Sequence, residues 1–311
     1  MTLPYTGNGP YCYTNSLYMC LQGAGVAHTE LPEAGFVECL TTMPFGAGYL
    51  RLEHGPVAFL SPITVNPDVG LARALNALGW TCEDQYGDDP GEAQLRLQDA
   101  LQYGPALVGP VDMGYLSYHP GCRHEPAGDH YVAALGATED GVLLHDPDGY
   151  PCAAISMEEL LVAWRAESVQ YKQGSYRLRS NFRQIRTVTR DEMIGQTLVL
   201  IREDLTADPG GPVAYGGVRA LRMLAQQLRE EVGQQLHGTL VSFVFPLASR
   251  RSLDASQFLV EAGLGEAAAI MDRQAVLCGQ AQTLTIRKRF AEVATVVDCL
   301  AEAQQRLATL L

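Results

Sequence analysis

Between residues 105 and 146 the apolar side chains run in short blocks closed by turn residues, whereas on either side they recur at helical intervals. Residues 105–111 and 130–136 each read as a buried strand, and Glu139-Asp140-Gly141 is a hairpin turn into a third strand over 142–146. Upstream, Leu71, Leu75 and Leu78 predict a helix over 69–79, and Ala93, Leu97 and Leu101 another over 90–103. Downstream, Ser156 with Glu159 forms a capping box that opens a helix ending near Arg165. Past Arg190 the texture turns helical. Residues 204–217, with Asp208-Pro209-Gly210-Gly211-Pro212, read as loop or linker. Helices are then expected over 218–232 and 254–263, with Thr285 capping a long last one that turns Ile286, Phe290, Val293, Val297, Leu300 and Leu307 inward. The pattern is that of an α+β chain with two domains, 1–190 and a mainly helical 191–311. A length of 311 residues fits that count at roughly 150 residues per domain.

Composition narrows the function classes. A net charge of −13 argues against nonspecific nucleic-acid binding, which needs a basic surface. No apolar run reaches the roughly 18 residues of a membrane span, and no basic stretch followed by an apolar one opens the chain, so a cytoplasmic protein is expected. The eight cysteines include no CxxC pair, which argues against a zinc site. Charge is unevenly spread. Arg165, Lys172, Arg177, Arg179, Arg183, Arg186 and Arg190 face one acid, Glu167, within the same stretch. That strip reads either as a solvated face or as a docking strip for an anionic partner.

One cysteine stands apart. Cys12 follows a run containing Gly7, Gly9 and Pro10, which excludes regular structure, and precedes the stripe Leu17, Cys20 and Leu21 that begins a helix. A thiol there meets the unpaired N–H groups and partial positive charge of a helix start, which favour thiolate and can hold an oxyanion. Cys20, two helical turns on, is a distant second and is expected to be buried.

A thiol nucleophile needs a base, and the base needs a third group to orient it. Of seven histidines, His130 is best placed, because it opens a strand whose residues 131–135 anchor the backbone. Asp146 is the matching acid. With a three-residue loop at 139–141, residue 134 pairs with 146, so 130, 134 and 146 share one face. The register leaves an offset along the strand that twist or a bulge has to close. Asp112 and Tyr115, after the strand ending at Val111, read equally as acyl-pocket lining and as loop residues.

Four segments carry a resemblance in order: Tyr11-Cys12-Tyr13-Thr14-Asn15-Ser16-Leu17, Val111-Asp112-Met113-Gly114-Tyr115-Leu116-Ser117-Tyr118, Asp129-His130-Tyr131-Val132-Ala133-Ala134-Leu135-Gly136 and His145-Asp146-Pro147. Together they resemble the BtrH-type acyltransferases of butirosin biosynthesis, strongly over the first half and weakly through 217–221 and 250–259. One departure is Tyr11, where that family often has His. The resemblance implies a papain-like cysteine-protease fold with an appended mainly helical domain. It further implies that Cys12 attacks a thioester, His130 moves the proton and Asp146 orients the imidazole, with the Asn8 side chain helping the Cys12 N–H at the oxyanion. The product is an amide on an amine acceptor, made in specialised metabolism. No cofactor is bound, and the donor is a phosphopantetheine thioester on an acyl carrier protein, which would suit Arg177, Arg179, Arg183 and Arg186. Two alternatives stay open: a cysteine peptidase, amidase or thioester hydrolase with the same triad, and an idle binding protein that keeps the fold.

Overall fold

The computed structural model of the chain describes residues 3–7, 11–25, 31–139 and 141–311. The chain begins with α1 (Cys12–Gly23), α2 (Ala34–Leu40), a hairpin of β1 (Gly48–Leu52) and β2 (Gly55–Phe59), and α3 (Pro67–Leu78). There follow β3 (Trp80–Gln85), α4 (Pro90–Ala100), β4 (Ala106–Asp112), β5 (Asp129–Ala137), β6 (Gly141–Asp146), β7 (Tyr150–Ser156), α5 (Met157–Arg165) and β8 (Leu178–Gln184). The remainder is α6 (Arg190–Thr206), β9 (Ala214–Gly216), α7 (Gly217–Glu230), α8 (Gln234–Thr239), α9 (Phe245–Glu261), α10 (Gly265–Ile286) and α11 (Phe290–Leu310). The fold is mixed α+β, with antiparallel sheets and a helical C-terminal part.

Two compact units emerge, and no single cut separates them. One is Met1–Ala34 with Leu78–Thr187; the other is Gly35–Ala77 with Val188–Leu311. The expected boundary at 190 falls close to the Thr187 junction, but residues 35–77 depart from the expectation. They join the second unit because β1 pairs with β9 as well as with β2. Buried polar contacts reinforce the attachment. Arg251 donates to Glu38 at 2.8 Å, and Asp204 accepts from Thr42 at 2.6 Å and pairs with Arg73.

The first unit is built on a six-stranded antiparallel sheet in the order β3-β8-β4-β5-β6-β7. The three expected strands are β4, β5 and β6, side by side at its centre. Their residues Val108, Val132 and Leu144 pack with Leu97 of α4 and Leu160 and Trp164 of α5 in one apolar core. The predicted capping box of α5 is complete, with Ser156 and Glu159 bonded reciprocally. Helix α1 lies against β4, β5 and β6. It is buried on nearly every side, Thr14, Asn15 and Ser16 included, rather than along one stripe.

Of the register shifts that interrupt this sheet, two lie in the ladders of β5. Val108 pairs with Val132 and Val111 with His130, so Gly109 and Pro110 together oppose Tyr131 alone. Only glycine fits there: its φ is 155°, and a Cβ would sit 2.4 Å from the Tyr131 ring. The second bulge falls between Ala134 and Gly136, opposite β6.

In the second unit a three-stranded sheet, β2-β1-β9, shares a core with the helices. Tyr49 and Tyr215 from the sheet pack with Leu221 and Leu224 of α7, Leu277 of α10 and Val297 of α11. The helix expected over 254–263 is the end of the longer α9. Thr285 does not cap the last helix. It lies buried inside α10 and donates to the Ala281 carbonyl at 2.7 Å. The break comes later, where Lys288 adopts a left-handed φ of 55° between α10 and α11.

Candidate active site

Cys12 is the first residue of α1, which sets its thiol at the helix N-terminus, and the residue is partly exposed. Tyr11, just before it, is left-handed at φ 82° and ψ 41°. That conformation costs a bulky residue on the order of 1–3 kcal/mol and tends to be kept at functional sites.

The segment leading to this turn is strapped to the end of β6. Tyr5 donates its hydroxyl proton to the Asp146 carbonyl at 2.9 Å and accepts from the Gly149 N–H at 2.9 Å. His145 Nδ1 accepts the Cys152 N–H at 3.0 Å, so Nε2 carries the proton and donates to the Leu3 carbonyl at 2.9 Å. At Gly7 a Cβ would lie 2.7 Å from the Pro147 carbonyl. Further along, α1 is tied to β5: Ser16 donates to the Tyr131 carbonyl at 3.0 Å, and the Tyr13 and Tyr131 rings meet edge to face. The thiol is thereby brought to the residue that precedes Tyr131.

That residue is His130, buried, with Nε2 2.7 Å from Oδ1 of the fully buried Asp146. Nδ1 is then the ring nitrogen left for sulfur, and a side-chain hydrogen bond joins His130 to Cys12. Burial pulls the imidazole toward its neutral form. The hydrogen bonds to Asp146 and Cys12, together with the charge on both, outweigh that and hold its pKa well above the ordinary value. For Asp146 burial acts upward, whereas the bond and charge of His130, the Asp148 N–H at 2.8 Å and the Tyr118 hydroxyl at 2.7 Å hold its carboxyl below the usual range. The arrangement favours a protonated imidazole between sulfur and carboxylate.

Sheet register explains how Asp146 reaches His130. The hairpin pairs Ala137 with Val142 in place of 138 with 142, and the bulge adds a second one-residue shift, so Ala134 pairs with Leu144 and Ala133 with His145 in place of 134 with 146. Asp146 therefore falls beside Val132, one same-face step from His130 instead of two. Two one-residue shifts keep the face parity expected from the sequence and together shorten the offset to a diagonal that side chains span.

Other expected site residues fare differently. Asp112 is a loop strap: Oδ1 accepts the N–H groups of Gly114 and Ala127 at 3.1 and 3.0 Å, and Oδ2 accepts from Ser168. Of its two readings the structure supports the loop one. Tyr115 is half-buried against the core shared by α4 and α5. Arg177 and Arg179 correct the expected strip. Both are buried, Arg179 on the interior strand β8 and Arg177 immediately before it; Arg177 grips Asp84 of β3 through two bonds at 2.8 and 2.7 Å, and Arg179 lies 3.3 Å from the same carboxylate. Arg183 and Arg186, at and beyond the strand end, are exposed. Asn8 lies outside the described residues. Cys20 is fully buried, and burial drives its pKa upward.

Sequence reasoning missed Tyr5 and Tyr118 as members of the site. Tyr118 stood within a quoted segment, but a loop tyrosine twenty-eight positions from its partner carries no spacing signal.

Residues 211–311 match the YobF C-terminal domain family. Nearly the whole chain is also similar to a Bacillus subtilis (strain 168) protein described as "Uncharacterized protein YobF". Identity is 26% over 304 residues, covering 97% of this chain and 96% of that protein. The family match lies within the second unit, whereas the similarity to the Bacillus protein spans both units. Among the described residues no helix is long and apolar enough to cross a membrane.

Proposed function

We propose that the chain is a cysteine-dependent acyltransferase whose first unit is papain-like. The observation that carries this reading is the hydrogen-bonded series Cys12–His130–Asp146, with the thiol at the N-terminus of a buried helix packed on an antiparallel sheet. Sγ attacks a thioester carbonyl, and the leaving thiol takes the proton held by His130. The acyl-Cys12 intermediate is then attacked by an amine, whose proton passes to His130 as the C–S bond breaks. Oxyanion charge is met by the Cys12 N–H; one preorganised donor of this kind is worth roughly 3–4 kcal/mol in the barrier. Likeness to the BtrH-type acyltransferases supports an acyl carrier protein as donor. Arg183 and Arg186 remain as the exposed cations suited to its acidic surface.

Incubation with a panel of acyl thioesters, followed by intact mass, tests the reading. An adduct of the acyl mass is expected on the wild type, absent from Cys12→Ser and discharged as an amide when amines are added. Discharge only to water would make the enzyme a hydrolase, and no adduct from any donor would favour the idle binding protein. Within the same assay, Arg183→Glu with Arg186→Glu should raise the Michaelis constant for a carrier-bound donor several-fold while sparing a small thioester. Equal effects on both donors would remove the docking site.

A further inference from the structure

We propose that Tyr118 is a positioning residue for Asp146, its hydroxyl holding the carboxylate ionised and turned toward His130. The inference rests on the proposed Cys12 chemistry and adds a residue that the three-membered series does not contain. Oδ1 of Asp146 is taken by His130 at 2.7 Å and by the Asp148 N–H at 2.8 Å, which leaves Oδ2 facing the Tyr118 hydroxyl at 2.7 Å. Asp146 is fully buried, so an oxygen deprived of that donor has no water to replace it. With it, the carboxylate makes three bonds in fixed directions, and rotation about its Cβ–Cγ bond would break all of them. Such an anchored carboxylate fixes both the ring plane of His130 and the nitrogen presented to sulfur.

Tyr118 is itself well held. Its ring packs on Tyr150 with centroids 5.9 Å apart, and the next residue, His119, pairs with Asp148 at 2.9 Å and meets the same tyrosine ring at 4.8 Å. The loop after β4 is thereby fastened on both sides of the Asp146–Tyr150 turn. Among the described residues, the titratable groups facing the Asp146–His130 pair are Tyr5 from the segment before α1, Cys12 from α1, Tyr118 and His119 from this loop, and Asp148 and Tyr150 from the turn.

The test is the pH dependence of Cys12 alkylation by iodoacetamide, followed by mass mapping. Its acid limb reports formation of the sulfur–imidazolium pair, which requires an ionised Asp146. Tyr118→Phe keeps the ring and deletes one donor to the carboxylate, so Asp146 protonates at higher pH. The acid limb should move toward neutrality by about one pH unit, the scale of one hydrogen bond to a charged group. Tyr150→Phe deletes a nearby hydroxyl from outside the set bonded to Asp146 and should leave the limb in place. Thermal melting of both variants separates this effect from a loss of fold. A merely structural Tyr118 would lower the melting point without moving the limb. A limb unmoved in Tyr118→Phe overturns the inference while leaving the Cys12–His130–Asp146 reading intact. A wild type without preferential Cys12 labelling would overturn that reading instead. Should Tyr118→Phe fail to fold, Tyr118→Gln restores a donor at the same position. It is expected to keep the wild-type limb, and a shifted limb in that folded variant contradicts the inference.

Discussion

Asp146 and His130 stabilise the fold over different pH ranges, and the signs differ. The Asp146 carboxyl is held below its ordinary value of 3.8, so its contribution is present above that value and is lost as pH falls through the folded one. The His130 imidazole is held above its ordinary 6.5, so its contribution is complete below 6.5 and is lost as pH rises through the raised value. Both contributions coexist between those ordinary values. Asp146→Asn keeps the shape and deletes the charge, at a cost of about 1.5–3 kcal/mol, typical of a hydrogen bond to a charged group. The melting-temperature gap between wild type and Asp146→Asn should therefore be widest near pH 4–6.5 and should close on further acidification. A gap that stays constant across pH would mean that the pair is not ionised in the fold. The three residues of the proposed site were legible because each has a local signature: a thiol after a glycine-rich turn, a histidine opening a strand, an acid closing one. Tyr118 was not, since a hydrogen bond made through a loop leaves no trace in periodicity.

At the level of elements, legibility followed apolar pattern. Strands β4, β5 and β6 are continuous apolar blocks because both of their faces are covered, and they were readable for that reason. Strands β3 and β8 carry Glu83, Asp84, Arg177's neighbour Arg179, and Arg183, charges that disguise a strand until Asp84 and Arg179 are seen paired across the ladder. The same pairing explains the error about the basic strip, because sequence spacing alone does not distinguish a solvated arginine from one buried on an interior strand. Helix α6 has a capping box at Thr189 and Glu192 of the same kind as the one at Ser156, so its start was written in the sequence. Helix α10 has no comparable start: Leu264 makes no side-chain cap, and apolar residues such as Ala267, Ile270, Met271 and Ala275 are buried around much of its surface. The bulges were invisible as such, although Gly109 and Pro110 inside an apolar block are the residues a bulge favours.

For the whole molecule, the change of texture near residue 190 lies beside the Thr187 junction between the units, whereas nothing in the sequence marked residues 35–77 as part of the second unit. Their place there depends on long-range partners: β9 beside β1, Arg251 on Glu38 and Asp204 on Thr42. Reactivity across the eight thiols also belongs to this scale. Burial raises the pKa of Cys20 and Cys39, takes Cys82 to about 11 and takes Cys278 to about 12, while Cys152 is exposed and sets the background for an accessible thiol. The most direct measurement is therefore the rate of iodoacetamide labelling at each cysteine at neutral pH, resolved by peptide mass, in the wild type and in His130→Ala. Cys12 should react at least tenfold faster than Cys152 in the wild type and fall to the Cys152 rate when the imidazole is removed. Equal rates at Cys12 and Cys152 in the wild type, or a Cys12 rate indifferent to His130→Ala, would contradict an activated thiol.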